Sequence, residues 1–247
     1  MSFTESEVRD RINIKYGDYY AYETHLHTSQ GSACGSNTGA EMARSAKDYG
    51  YTGIIVTDHF FYGNTAVDRT LPWTDWVDRY CQGYYDAKIT GDQIDLQVFF
   101  GWESSYNAME FLIYGLTPEW LRSHPEIRDC SVKEQYEMVH NDGGIVIQAH
   151  PFREADYIGE KVQYPYDVDG VEVLNISNGN KAGYGLNACP WDDEALAYAK
   201  RYKLHTTSGS DVHSVAMMGC GMAFKNRLED IQDFNRAILN DQGILMY

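Results

Sequence analysis

The chain has 247 residues, a length that suits a single α/β barrel domain. Its 20 basic and 36 acidic residues give a net charge of −16, which disfavours a protein that binds nucleic acid through surface charge. The mean hydropathy is −0.48, and no apolar run approaches the roughly 18 residues of a membrane span, so no contact with a membrane is expected.

Short apolar runs alternate with amphipathic segments, after a stretch at residues 1–17 that lacks the apolar core of a secretory signal. The predicted strands are Tyr19–Leu26, Gly53–Thr57, Leu96–Gly101, Phe111–Tyr114, Gly144–Ala149, Gly170–Leu174 and Leu204–Ser208. The predicted helices are Ala40–Tyr49, Asp75–Ile89, Val132–Asn141, Asp192–Lys203 and Leu228–Asn240. This order predicts an α/β protein with a mainly parallel sheet, in one domain over residues 1–247. About seven strands favour a barrel over an open sheet.

The cysteines point to a reducing environment. The five are Cys34, Cys81, Cys130, Cys189 and Cys220. They are odd in number, widely spaced and form no CxxC pair, which argues against a disulfide framework and an all-cysteine zinc site. Reduced thiols and a cytoplasmic location are therefore expected.

Metal-ligating side chains stand at the carboxyl ends of the predicted strands. They are His25, His27, His59, Glu103, His150, Asp211 and His213. The ends of parallel strands meet on one face of a barrel, so groups far apart in the chain would converge. Within His25-Leu26-His27 both imidazoles point to the same face, because side chains alternate along a strand. Imidazole and carboxylate together suit zinc, iron or manganese.

This set resembles the PHP family, named for polymerase and histidinol phosphatase domains. The matching segments are THLHT (Thr24–Thr28), VTDHF (Val56–Phe60), Gly101-Trp102-Glu103, QAHPFR (Gln148–Arg153) and GSDVH (Gly209–His213). They occur in the order found in the family. The resemblance implies a distorted (β/α)7 TIM-like barrel that binds two or three divalent metal ions, with zinc, manganese and iron as the candidates.

The resemblance also implies a division of the ligands among the metals. The first metal would be bound by His25, His27, Glu103 and Asp211. Glu103 would bridge to a second metal, which His150 also binds. His59 and His213 would bind a third.

Two positions depart from the family pattern. Where family members often have a histidine for the second metal, Glu110 is the candidate here, and a carboxylate shifts the preference towards harder ions. The loop after His27 often supplies an aspartate or histidine to the third metal, but here it offers only Cys34. Cys34 is either a thiolate ligand or a small packed thiol, and the sequence leaves both open.

Two further residues are candidates for binding substrate. Arg153 follows His150-Pro151-Phe152, and its guanidinium suits a phosphate group, although a surface arginine is the alternative. Asn175 ends a predicted strand and would either bind substrate or cap the strand. The predicted catalytic residues are Asp211, His213 and Arg153, and either His213 or a water on the metal would protonate the leaving group.

The predicted function is hydrolysis of a phosphoester in a small soluble substrate, by a hydroxide that bridges the metals. One alternative is an amidohydrolase-type reaction on a bond without phosphorus. A second is nucleic-acid processing, which the acidic composition disfavours. A third is a metal-binding or regulatory module without catalysis. The sequence leaves the oligomeric state open.

Overall fold

The structure is a computed structural model that describes residues 15–185 and 187–247, so most of the N-terminal stretch examined for a signal lies outside the described residues. Nine strands form one sheet in the order β7-β6-β5-β4-β3-β2-β1-β8-β9. The strands are β1 (Tyr20–Leu26), β2 (Gly53–Val56), β3 (Gln97–Tyr106), β4 (Met109–Tyr114), β5 (Ile145–Ala149), β6 (Gly170–Asn175), β7 (His205–Gly209), β8 (Gly221–Phe224) and β9 (Ile244–Met246).

The sheet curls into a nearly closed barrel. Strands β1, β2 and β3 are parallel neighbours, and so are β5, β6 and β7. The seam between β1 and the end of β7 is bridged by Val212, whose N–H donates to the His25 carbonyl at 3.0 Å and whose carbonyl accepts from the His27 N–H at 2.9 Å. The predicted α/β barrel is thus confirmed.

Antiparallel strands distort the barrel. Strand β4 lies between β3 and β5 and is antiparallel to both, while β8 and β9 extend the sheet beyond β1. The predicted strands cover β1 to β7, but β8 and β9 are missing from the prediction. These strands have only four and three residues, too few to show a hydrophobic period.

The described helices are α1 (Gly39–Tyr49), α2 (Trp73–Tyr80), α3 (Gln82–Ile94), α4 (Pro118–Ser123), α5 (Val132–Asn141), α6 (Ile176–Lys181), α7 (Pro190–Tyr202) and α8 (Ile231–Leu239). The prediction of one long helix at Asp75–Ile89 is wrong, because the helical segment is interrupted at Cys81 and forms two helices, α2 and α3. No helix within residues 15–185 or 187–247 combines the length and apolar character needed to cross a bilayer.

Aromatic packing supports the loop that follows β2. Phe60 contacts Trp76 and Trp102 at ring-centroid distances of 5.4 and 5.9 Å, and Trp76 stacks on Tyr80 at 4.7 Å. The Tyr80 hydroxyl donates to the backbone carbonyl of Asp58. These rings are buried, so they hold His59, which lies between Asp58 and Phe60, in a fixed position.

Candidate metal centre

Four imidazoles surround the carboxylate of Glu103, which is completely buried on β3. Its Oε1 lies 3.1 Å from His25 Nε2 and 3.3 Å from His150 Nε2. Its Oε2 lies 2.7 Å from His59 Nδ1 and 3.6 Å from His27 Nε2. Each oxygen therefore faces a different pair of histidines, an arrangement suited to a carboxylate between two cations.

Asp211 approaches the same cluster from the loop after β7. Its Oδ1 lies 3.2 Å from His27 Nε2, 3.7 Å from His25 Nε2 and 3.5 Å from His213 Nδ1. Its backbone is left-handed, with φ of 56°, a conformation that a non-glycine residue adopts at an energetic cost. The cluster thus joins strand ends that are about 190 residues apart in the chain.

Glu110 lies in the cluster on β4, opposite Ala149. Its Oε1 is 3.5 Å from His59 Nδ1, and its Oε2 is 3.5 Å from His150 Nε2. Burial and the neighbouring Glu103 carboxylate raise the pKa of Glu110 to about 7. A cation between these side chains would restore the charged form, because it replaces repulsion by attraction.

Several buried polar atoms of the cluster make no hydrogen bond of good geometry, although a polar atom of another ligand lies close to each of them. These atoms are His25 Nε2, His27 Nε2, His59 Nδ1 and Glu103 Oε2. A buried unsatisfied polar atom costs about 1–3 kcal/mol, so four in one place call for an explanation. In the described residues, four overlapping sets of three ligand atoms lie within 4.8 Å of one another: His25/His27/Glu103, His25/His150/Asp211, His59/Glu103/Glu110 and His27/His59/His213. The residues therefore fit divalent cations.

Hydrogen bonds to Nδ1 orient His25, on β1, and His27, the residue directly after β1. The His25 Nδ1–H donates to Glu172 Oε1 at 2.9 Å. The His27 Nδ1–H donates to Ser32 Oγ at 3.1 Å, and Ser32 Oγ donates to Asp58 Oδ1 at 2.7 Å. Both Nδ1 atoms are thereby engaged, and the two Nε2 atoms face the cluster.

The surroundings of the cluster lower the pKa of one imidazole ligand, His27, and of one carboxylate ligand, Asp211. Burial and the imidazoles of His59 and His213 hold the pKa of His27 well below its usual value. Burial opposes the ionisation of Asp211, but the Arg153 guanidinium and His25 outweigh it and lower the pKa of Asp211 well below its usual value. A neutral imidazole and an ionised carboxylate are the forms that bind metal.

Two supporting carboxylates were missed by the sequence reasoning. Glu172 Oε2 accepts from the His150 N–H at 3.2 Å, in addition to the bond from His25. Glu23 Oε1 accepts from the backbone N–H of His25 at 3.0 Å and of Ser210 at 2.9 Å. Each glutamate interrupts an otherwise uncharged buried strand, and that interruption is the signal that could have found them.

Arg153 is buried rather than on the surface, with 3% of its area exposed, so the surface alternative is wrong. Its Nη2 donates to Asp211 Oδ2 at 2.5 Å and to Asn175 Oδ1 at 3.1 Å, and its Nε donates to Asn178 Oδ1 at 2.8 Å. Asn175 also accepts from the backbone N–H of Ser177 and caps α6, a helix that was not predicted. The guanidinium thus links Asp211 to the start of α6.

Cys34 lies beside His59 and His213. Burial opposes ionisation of the thiol, but hydrogen bonds with these two imidazoles outweigh it and lower the pKa of Cys34 to about 6. The loop that carries it is tied to His213, because the Ser36 N–H donates to the His213 carbonyl at 2.8 Å.

Four members of the cluster, His59, Glu110, Asp211 and His213, line a cavity of about 560 Å³, a size typical of small-molecule sites. Its wall also carries the thiol of Cys34 and the cationic side chains of Arg153 and Lys181. The other three histidines lie elsewhere and contact Asp142, Asp169 and Asp241.

A model of the PHP-associated family matches residues 191–242, which include α7, β7 and the loop with Asp211 and His213. Solved structures extend the likeness to almost the whole chain. A two-domain protein from Bacteroides vulgatus ATCC 8482, described as containing a predicted PHP-like metal-dependent phosphoesterase, aligns with a TM-score of 0.67 at 14% identity. This chain has the PHP fold. The fold implied by the motif resemblance is thereby confirmed, and the family model supports the resemblance over residues 191–242.

The PHP fold recurs in two further structures. A protein from Bifidobacterium adolescentis ATCC 15703, described as a candidate metal-dependent phosphoesterase, aligns with a TM-score of 0.56 at 16% identity over 90% of this chain and 96% of that one. An amidohydrolase from Chromobacterium violaceum, described with bound sulfate and no metal, aligns with a TM-score of 0.56 at 14% identity over 91% and 98%.

The first match covers 92% of this chain but only 65% of the Bacteroides vulgatus protein. None of the curated proteins matches this chain in sequence.

Proposed function

We propose that this protein is a metal-dependent phosphoesterase. The observation that carries the proposal is the convergence of four buried ligand atoms that make no well-formed hydrogen bond, next to a small cavity that His59 lines. Metal cations would satisfy all four atoms at once. The fold, which recurs in proteins described as metal-dependent phosphoesterases, supports phosphate as the group that is attacked.

The first two proposed ligand sets combine imidazoles with carboxylates, and the third combines two imidazoles with a thiol. His25, His27, Glu103 and Asp211 would hold the first cation, and Glu103, Glu110 and His150 the second. His59 and His213, with Cys34 as the third donor, would hold another. The cations we propose are zinc, manganese or iron. When bound, they would activate water and neutralise charge on the phosphoryl oxygens.

The remaining roles belong to side chains of the chain itself. Arg153 orients Asp211 through its hydrogen bond to Oδ2, and leaves Oδ1 turned towards His27. His213 Nδ1 is engaged by the backbone carbonyl of Asp211 at 2.9 Å. Its Nε2 would either bind the third cation or give a proton to the leaving oxygen. The nearby Asp211 carboxylate raises the pKa of His213 against the effect of burial, which favours the protonated form.

The substrate we propose is small. A cavity of about 560 Å³ accommodates a metabolite-sized molecule. The net charge of −16 disfavours nucleic acid. A cytoplasmic location belongs to the same proposal, and the five cysteines are free thiols in the structure.

A second candidate is hydrolysis of a bond without phosphorus. It is favoured by one observation, the likeness to the fold of the Chromobacterium violaceum protein, which is described as an amidohydrolase. The same cluster would serve that reaction, because a metal centre that activates water attacks carbonyl carbon as well as phosphorus.

The test is phosphate release from a panel of small phosphomonoesters and nucleotides, with manganese, with zinc and with a chelator. We expect metal-dependent release by the wild type and none by Asp211→Ala, with circular dichroism showing that the variant is folded. Near wild-type release by a folded Asp211→Ala would refute the assignment. A folded, metal-loaded protein that hydrolyses only amide-type substrates would establish the second candidate, and one that hydrolyses nothing would indicate a module without catalysis.

A further inference from the structure

The cavity wall carries two cationic side chains that differ in how they are engaged. Arg153 is buried, and three of its five N–H donors bond to Asp211, Asn175 and Asn178. A guanidinium whose charge is paired with a carboxylate and whose donors are mostly engaged binds a phosphate less readily than a free cation does. Arg153, which the sequence offered as the substrate-binding cation, is therefore better suited to positioning Asp211.

Lys181 is the other cation, at the last position of α6. Within residues 15–185 and 187–247 its ammonium has no ion-pair or hydrogen-bond partner. Its ammonium is nevertheless attracted electrostatically by the carboxylates of Asp211, Glu110 and Glu103. Partial burial and the Arg153 guanidinium lower the pKa of Lys181. An unpaired ammonium beside a ligand-sized cavity is available to an anion.

The network around Arg153 also holds the helix that carries Lys181. Asn178 accepts from Arg153 and donates its amide to Asp192 Oδ1 at 2.9 Å, while Asn175 caps the helix start. Both asparagines are buried, so the backbone of α6 is fixed relative to Asp211. Lys181 thus extends from an anchored backbone towards the same cavity.

We propose that Lys181 is the substrate-binding cation of this site, and that it contacts an anionic oxygen of a small phosphorylated substrate. This inference rests on the proposed function, because it names the group that recognises the charged substrate. The metal cluster would bind the phosphoryl group, and Lys181 would bind anionic oxygen at the wall. A neutral substrate would gain nothing from this contact.

The test is calorimetric binding of inorganic phosphate to the manganese-loaded protein. Lys181→Met keeps a side chain of similar length without the charge, and we expect it to bind phosphate roughly tenfold more weakly, as for loss of one charge-assisted hydrogen bond. Lys181→Arg should restore most of the affinity. Lys200→Met, on the exposed face of α7, is the matched control and should bind as the wild type does.

The same variants are then compared in turnover of a phosphomonoester, after elemental analysis has shown equal manganese content. We expect KM to rise in Lys181→Met by a similar factor. Unchanged phosphate affinity and KM in Lys181→Met, or a loss of manganese that Lys181→Arg does not share, would overturn the inference. If phosphate binding depends on Lys181 but no phosphoester is hydrolysed, the anion site stands and the proposed function fails.

Discussion

Two cavities of similar size show what distinguishes a chemical site from a surface groove. One, of about 490 Å³, lies at the amino end of β3 and is lined by Tyr84, Asp95, Gln97 and Arg227 among others. Its Asp95 and Arg227 are exposed and form an ion pair at 2.8 Å. The other, of about 560 Å³, is lined by carboxylates and imidazoles of the metal cluster, whose buried atoms include His59 Nδ1 without a well-formed hydrogen bond. The two cavities differ little in volume. They differ in the free energy that burial of their polar groups costs.

That cost has a physical origin. An exposed ion pair contributes at most about 1 kcal/mol, because water solvates both partners well. A buried polar atom without a partner loses its hydration and receives nothing in return. Unsatisfied groups of this kind persist where a ligand completes them. We therefore expect the cavity of about 560 Å³, the metal cavity, to lower the stability of the protein when its ligand is absent.

The largest effect, on turnover, is expected when a carboxylate of the metal cluster is replaced by its amide. The same replacement at the other cavity is the control. Glu103→Gln should lower turnover roughly a thousandfold or more and reduce the bound metal, because one carboxylate oxygen facing two histidines becomes an amide nitrogen. Asp95→Asn is the matched control, since asparagine tolerates its left-handed backbone. Steady-state rates and elemental analysis measure both. Similar losses in the two variants would erase the distinction between the cavities.

Removing the metal should destabilise the protein through the metal cavity alone. A cation at 100–1,000 times its dissociation constant adds about 3–4 kcal/mol, so chelation should lower Tm by roughly 10 °C. The measurement is thermal unfolding followed by circular dichroism, with and without a chelator. The Glu103→Gln protein should show a smaller shift, and an equal shift would place the stabilising metal elsewhere.

A smaller effect is expected from Glu23, the buried carboxyl beneath His25. Burial raises the pKa of Glu23 from 4.5 to about 7, so folding favours the protonated form. Its contribution to stability is full below pH 4.5 and is lost as the pH rises through 7. Between pH 5.5 and 8, metal-free wild type should lose about 2 kcal/mol relative to Glu23→Gln.

Urea unfolding at the two pH values measures this difference. Glu229→Gln, at an exposed position, is the control and should follow the wild type. A Glu23→Gln protein whose pH dependence equals that of the wild type would contradict the prediction.

The smallest effect concerns Cys34 at the edge of the metal cavity. Cobalt-loaded wild type should show a sulfur-to-cobalt charge-transfer band in the near ultraviolet, and Cys34→Ser should lack it, with turnover lowered roughly tenfold. Cys130→Ser is the control, because the Cys130 thiol donates to the Ile127 carbonyl at 3.2 Å instead. A band that survives in Cys34→Ser would show that the thiol is a packed side chain.

The positions of strands β2 to β6 along the chain could be read from the sequence, because these buried strands are largely apolar runs. The histidines and carboxylates at their ends could be found for the same reason, since the fold brings strand ends together. The antiparallel direction of β4 could not be read, because an apolar run does not set the direction of a strand. The break at Cys81 could not be found, because the residues on both sides have helical patterns and the break depends on packing. Strands β8 and β9 were too short to leave a pattern.

By itself the sequence determined which residue types stand at the strand ends, and therefore that a metal centre was the chemistry to expect. Only the tertiary structure decided how they are used. Glu103 turns its two oxygens to different histidines, and Arg153 is paired with Asp211, whereas Lys181 has no ion-pair partner in the part of the chain that the structure describes. The reason is that strand periodicity sets which face a side chain takes, whereas hydrogen-bond partners come from distant segments that only folding brings into contact.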